Sequence, residues 1–280
     1  MVLALIALVT LVLLGWQLGQ PLVRRWRRAR LAARPFPAAW RRALREQVPL
    51  VARLPADLQL RLKALIQVFL AETPVIGCAG LEVGDAMRVS IAAQACLPLL
   101  GRRRAVSLGR LYPRLRQVLL YPGSFVVDRP VELAGGVQMA QRRRLAGESW
   151  SQGQVLLSWE DVRAGAADPR DGRNVVIHEF AHQLDQAKGR ANGAPVLRDR
   201  AAHRRWARAM QAAFDALRVR LARGEVDGLI DAYGATEPAE FFAVVSELFF
   251  ERATELAAAE PALYEELRRY YALDPRAWQA

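Results

Sequence analysis

The first 23 residues of this 280-residue chain contain no charged side chain, and seventeen of them are hydrophobic. As a helix, the run MVLALIALVTLVLLGWQLGQPLV spans about 33 Å, enough for a bilayer core of about 30 Å. Nine arginines follow between Arg24 and Arg45 with no acid among them. Of the formal +12, nine charges therefore lie before residue 46 and only +3 on the remainder. No basic residue precedes the apolar run, and Trp16, Gln17 and Pro21 end it where a signal peptide has small residues. Arginine flanks stay on the cytoplasmic side, so the expectation is a single-pass protein of the cytoplasmic membrane, N-terminus out. It divides into a transmembrane helix over 1–23, a basic juxtamembrane segment over 24–46 and a cytoplasmic domain over 47–280.

The charge argues against a nucleic-acid partner once it is located. The other basic stretches, Arg102 to Arg116 and Arg142 to Arg144, lack interleaved aromatics or zinc-finger spacing and read as solvated loops. Two cysteines, Cys78 and Cys96, are too few for a disulfide scaffold and read as small core residues.

Beyond the Pro35-Phe36-Pro37 break, periodicity predicts a helix from Asp57 to Ala71 carrying Leu58, Leu62, Leu65, Ile66 and Phe69 on one face, and a second from Met87 to Leu100. Short strands are expected at Gln117–Tyr121, Phe125–Val127 and Gln154–Trp159, with a hairpin or loop between Gly135 and Gly153. The last strand is placed to offer an edge to an extended peptide. Helices follow at 175–186, 203–223 and 237–252, the last with Thr236 as N-cap. The soluble part is an α+β domain.

Two of the three histidines stand in Asn174-Val-Val-Ile-His178-Glu179-Phe-Ala-His182-Gln-Leu-Asp185. On a helix, His178 and His182 lie one turn apart on the same face, so both imidazoles reach one ion. Two imidazoles, a carboxylate and an open position make a hydrolytic zinc site. Glu179, beside the first ligand, is placed to take a proton from water. His203 lies too far along and reads as a surface residue. The third ligand is then a carboxylate: Glu240 leads, Glu247 follows seven residues on, and Asp185 falls about a turn beyond the ion. Asp185 and Glu247 otherwise read as carboxylates that orient the imidazoles.

His-Glu-Phe-Ala-His-Gln-Leu-Asp, with Asp231-Ala-Tyr233 and Pro238-Ala-Glu240-Phe-Phe-Ala-Val-Val-Ser-Glu247, resembles the Mlc titration factor A family of zinc peptidases. Arg34–Trp40, Gly77–Leu81, Ile91–Cys96 and Tyr121–Phe125 are similar too, and the likeness extends over roughly 34–275. The resemblance implies a zincin-like fold with one zinc ion on His178, His182 and Glu240. It also implies Glu179 as the catalytic glutamate, Tyr233 as an active-site tyrosine, and a weak peptidase or aminopeptidase activity on peptide or protein substrates. Familiar members bind a glucose-responsive repressor, Mlc, so a transcription regulator is a second expected partner. An alternative role follows: a zinc-stabilised protein that sequesters such a regulator, with incidental hydrolysis.

Overall fold

The computed structural model describes residues 2–101, 112–133, 137–145, 147–150 and 153–278. Most of the stretch from Arg102 to Arg116 falls outside them.

The apolar run and the first arginines form one continuous helix, α1 (Val2–Ala32), which passes through Pro21 without ending. The expected transmembrane span over 1–23 finds no support. No helix among the described residues is long and apolar enough to cross a membrane, and no element boundary falls at Val23. The basic end of α1 docks on the protein: Arg28 is 3% exposed, and its Nε and Nη2 donate to the two carboxylate oxygens of Glu72 at 2.6 and 2.5 Å. An arginine satisfied this way is a packing element rather than a free headgroup binder.

The proline break then redirects the chain, with Pro37 preceding α2 (Ala38–Gln47). A single turn, α3 (Leu50–Arg53), leads into α4 (Ala56–Glu72), which buries Leu62, Leu65, Ile66 and Phe69 of the predicted stripe at 1% exposure or less and leaves Leu58 half-buried. α5 (Asp85–Cys96) packs on both α2 and α4; Trp40 donates its indole N–H to Asp85 at 3.2 Å. Phe36, Ala43 and Leu44 join the same hydrophobic core, so that core reaches upstream of residue 47.

The sheet has the order β1 (Val75–Gly77), β2 (Gln117–Tyr121), β6 (Gln154–Ser158), β5 (Gly147–Trp150). β1, β2 and β6 run parallel, with Val75 opposite Val118 and Val118 opposite Val155; β5 returns antiparallel, Glu148 opposite Leu156. β6 is inside the sheet, and four of its five residues are buried in sequence rather than alternately, as a strand covered on both faces requires. The expected substrate edge is therefore not β6: β5 lies beside it and holds that edge. Ser158 leaves the strand and caps α6 (Trp159–Ala167), so Trp159 begins a helix instead of ending a strand. The region between β2 and β5 is a separate antiparallel pair, β3 (Phe125–Leu133) with β4 (Val137–Leu145), longer than the short strand expected there.

Helices complete the molecule: α7 (Val175–Asp185), α8 (Arg200–Ala222), α9 (Pro238–Glu251), α10 (Ala253–Ala259) and α11 (Pro261–Tyr271). Among the described residues the architecture is mostly helical around a small, mainly parallel sheet. α7 and α9 pack together at its centre. Thr236 is not the N-cap of α9; Glu237 takes that place, and the Thr236 hydroxyl donates to the Tyr233 carbonyl at 2.7 Å.

Candidate metal centre

α7 starts where Asn174 accepts the Ile177 N–H on its side-chain oxygen at 3.0 Å, an N-cap that closes the first turn four residues before the first histidine. His178, Glu179 and His182 follow on this buried helix. Pro238 opens α9, placing Glu240 in its first turn, with Glu247 two turns further on the same side.

The helix pair brings His178, His182 and Glu240 together so that one donor atom of each lies within 4.8 Å of the others. His178 Nε2 stands 3.0 Å from Glu240 Oε2, and His182 Nε2 stands 3.4 Å from the same oxygen. Three donors around a tetrahedral zinc ion, each at about 2.0–2.1 Å, stand roughly 3.3 Å apart. The two distances bracket that value, and two imidazole nitrogens with one carboxylate form a donor set that zinc takes. The residues fit a metal.

Glu247 stands outside this group. Its Oε1 accepts the His178 Nδ1–H at 2.8 Å while its other oxygen accepts the backbone N–H of Asn174. Protonation at Nδ1 leaves the Nε2 lone pair facing the metal position. Asp185 stands outside it too: its Oδ2 accepts the N–H groups of Asn192 and Gly193 at 2.8 and 2.7 Å, pinning the loop after α7. The Gly193 carbonyl in turn accepts the Trp206 indole N–H at 2.8 Å, which ties that loop to α8. Tyr233, on the short turn before α9, is 46% exposed, its ring centre 6.0 Å from that of His178. Asp231 holds the turn by accepting the Tyr233 backbone N–H at 2.9 Å. Glu179 is buried between the two histidines in sequence, 4% exposed. His203 is an exposed residue of α8, as expected, and Cys96 is fully buried, whereas Cys78 is partly exposed.

The electrostatics follow from this crowding. Burial alone would raise the Glu240 carboxyl, but hydrogen bonds from His178 and His182 outweigh it and hold the group well below the usual carboxylate range. Burial likewise disfavours the His178 imidazolium, and the neighbouring Glu247 and Glu240 carboxylates reverse that, raising its pKa well above the ordinary value. A site that holds excess negative charge against two imidazoles is matched to a divalent cation.

Two residues of this site escape the motif. Asn174, besides capping α7, donates its amide N–H to Glu251 at 3.0 Å. Glu251 is 3% exposed, and burial pushes its carboxyl up to about 9. The signals were present: an asparagine before an apolar helical run, and a glutamate one turn beyond Glu247 on the same face.

The chain matches the family model described as glucose-regulated metallo-peptidase M90 over residues 23–272. It is 38% identical over 274 residues to an uncharacterized protein of Synechocystis, a match covering 97% of each chain. It is also 38% identical over 233 residues to Mlc titration factor A of Salmonella gallinarum, covering 81% of this chain and 84% of that one. The corresponding Salmonella schwarzengrund protein is 37% identical over 241 residues, 84% of this chain and 86% of that one.

Proposed function

The chain belongs to the M90 metallo-peptidase family, and from that premise we propose that it is a zinc-dependent peptidase of zincin-like fold, with the ion on His178, His182 and Glu240, Glu179 as general base and Tyr233 as a hydrogen-bond donor to the reacting carbonyl. The observation that carries this reading is the approach of both imidazole Nε2 atoms to a single oxygen of Glu240, 3.0 and 3.4 Å away, on two helices that pack together. When bound, zinc supplies Lewis-acid polarisation of the scissile carbonyl and of the attacking water. Glu179 accepts the proton of that water and hands it to the leaving amine, a transfer helped by its burial away from competing solvent. Glu247 holds His178 in the tautomer that keeps Nε2 free for the ion. Tyr233 stands on the solvent side of His178, where its hydroxyl meets a carbonyl oxygen as charge develops on it. β5, at the sheet edge and packed beside α7, is the strand along which an extended peptide lies.

The test uses the full chain, its metal content and a peptide library, with and without a chelator. Glu179→Gln retains metal and loses at least ~100-fold in turnover. Glu240→Ala loses most of its metal. Full activity in Glu179→Gln sinks the mechanism.

A second reading rests on the name of the Salmonella relatives, Mlc titration factor A: the metal-bound face binds a transcription regulator, and hydrolysis is incidental. That reading expects Glu179→Gln to bind the regulator as well as the wild type while the library stays uncut.

A further inference from the structure

A cavity of about 550 Å³ lies where the basic end of α1 crosses α4 and the segment that leads into β2. Arginines 24, 27, 28 and 116 line it, and Glu72 is the one carboxylate among its described lining residues. Glu72 is occupied by Arg28, which takes both its oxygens. Arg24 donates to the neutral amide of Gln20 at 2.7 Å, and neither Arg27 nor Arg116 forms an ion pair among the described residues. Three exposed arginines therefore line one concavity with no ion pair of their own among the described residues, an arrangement that raises its affinity for anions. The floor is of another kind. Phe69 and Tyr112 lie there, with the Tyr112 hydroxyl already committed to the Ala95 carbonyl. A volume in the range of small-molecule sites, an apolar floor and a guanidinium wall form the pattern of a built ligand site.

We propose that this cavity is a binding site for a phosphate-bearing anion, gripped by Arg24, Arg27 and Arg116 and seated against Phe69 and Tyr112. Guanidinium forks match phosphate oxygens bidentately, which a lysine-lined cavity does not do. The ordered Arg28–Glu72 pair fixes α1 against α4 and so holds the other arginines in place. The site is separate from the candidate metal centre, but two of its lining residues pack on the same helix. The rings of Phe69 and Tyr112 stand 5.7 and 4.8 Å from that of Phe180, which points away from His178 and His182 on the opposite face of α7. Phe69 and Tyr112 thus stand between a ligand here and the far side of the helix that carries His178 and His182.

The same chemistry is offered by a soluble phosphate and by an anionic lipid headgroup. Calorimetric titration of the full chain with pyrophosphate at low salt, where screening is weak, reads the site directly. Saturable binding at one ligand per chain is expected, weakened at least tenfold in the Arg27→Gln/Arg116→Gln variant, because each lost charge-assisted hydrogen bond is worth about that factor. Arg25→Gln/Arg30→Gln removes the same charge from exposed positions of α1 outside the cavity and leaves the affinity within about twofold. A pyrophosphate-induced rise in melting temperature, present in the wild type and in the control but absent in the cavity variant, gives a second reading. Vesicles of phosphatidylcholine with phosphatidylglycerol that displace pyrophosphate, where pure phosphatidylcholine vesicles do not, assign the site to a lipid headgroup. Retained pyrophosphate assigns it to a soluble phosphate. Absence of binding to both pyrophosphate and anionic vesicles overturns the proposal, as does equal weakening in the two variants.

Discussion

Around the metal centre, each carboxylate has a task that its position on α9 assigns. Glu240 meets both imidazoles, Glu247 meets the back of one imidazole, and Glu251 meets the helix cap behind it. The three descend α9 from the solvent side into the core, and their ionisation changes along the way. Glu240 is held as a carboxylate, whereas burial keeps Glu251 protonated up to about pH 9. A carboxyl whose folded pKa lies above its ordinary value of 4.5 binds more protons in the folded chain than in the unfolded one. Its contribution to stability is complete below about pH 4.5 and is lost as pH rises through about 9. Glu251→Gln, which keeps the acceptor for Asn174 but cannot ionise, is expected to flatten the fall in melting temperature between pH 6 and 9. Thermal melts across that range check it, and an unchanged slope means Glu251 ionises normally. The sequence displayed His178, Glu179 and His182 without ambiguity, because a helix alone sets their spacing. It left Glu240, Glu247 and Asp185 as rivals for one ligand position, because their roles depend on how two helices pack.

Helix α7 is held at both ends by side chains. Asn174 caps its start, and Asp185 fastens the loop at its finish by accepting two backbone N–H groups. Replacing Asn174 by alanine removes the cap and also deprives Glu251 of a donor. The expected cost is about 1–2 kcal/mol, read as a lower urea midpoint at unchanged slope. Alanine keeps the backbone N–H that Glu247 accepts, so metal affinity should fall only as far as loss of the cap displaces the start of α7 and with it the Glu247 that meets His178. A loss of stability with metal affinity intact would separate the cap from the site. At this scale most helices were legible from their apolar stripes: α4, α5, α7, α8 and α9 lie within a few residues of where periodicity puts them. The strands were less so. Gln154–Ser158 reads as a strand from its composition, but whether it lies inside the sheet or at its edge depends on β5, whose residues Gly147–Trp150 carry no strong strand pattern.

Across the whole molecule, the amino-terminal region is joined to the rest by burial and by charge. Phe36 and Leu44 enter the core, and the Arg28–Glu72 pair fastens α1 to α4. Burial of two such side chains is worth about 3–6 kcal/mol, a large share of the 5–15 kcal/mol that holds a domain folded. A chain beginning at residue 47 is therefore expected to melt about 10 °C lower than one beginning at residue 24. Equal melting temperatures would show that α2 contributes nothing to the core. The sequence by itself determined that His178 and His182 share one helix face with Glu179 between them, and the helical character of the second half, because both follow from spacing along a chain with a known period. It also displayed nine arginines after an apolar run, and charge counted along a chain carries no information about what lies across from it. Only the tertiary structure decided that Arg28 meets Glu72, that Glu240 stands beside both imidazoles while Glu247 stands behind one, and that β5 holds the sheet edge. Each of those depends on two segments far apart in sequence coming within a few ångströms of each other.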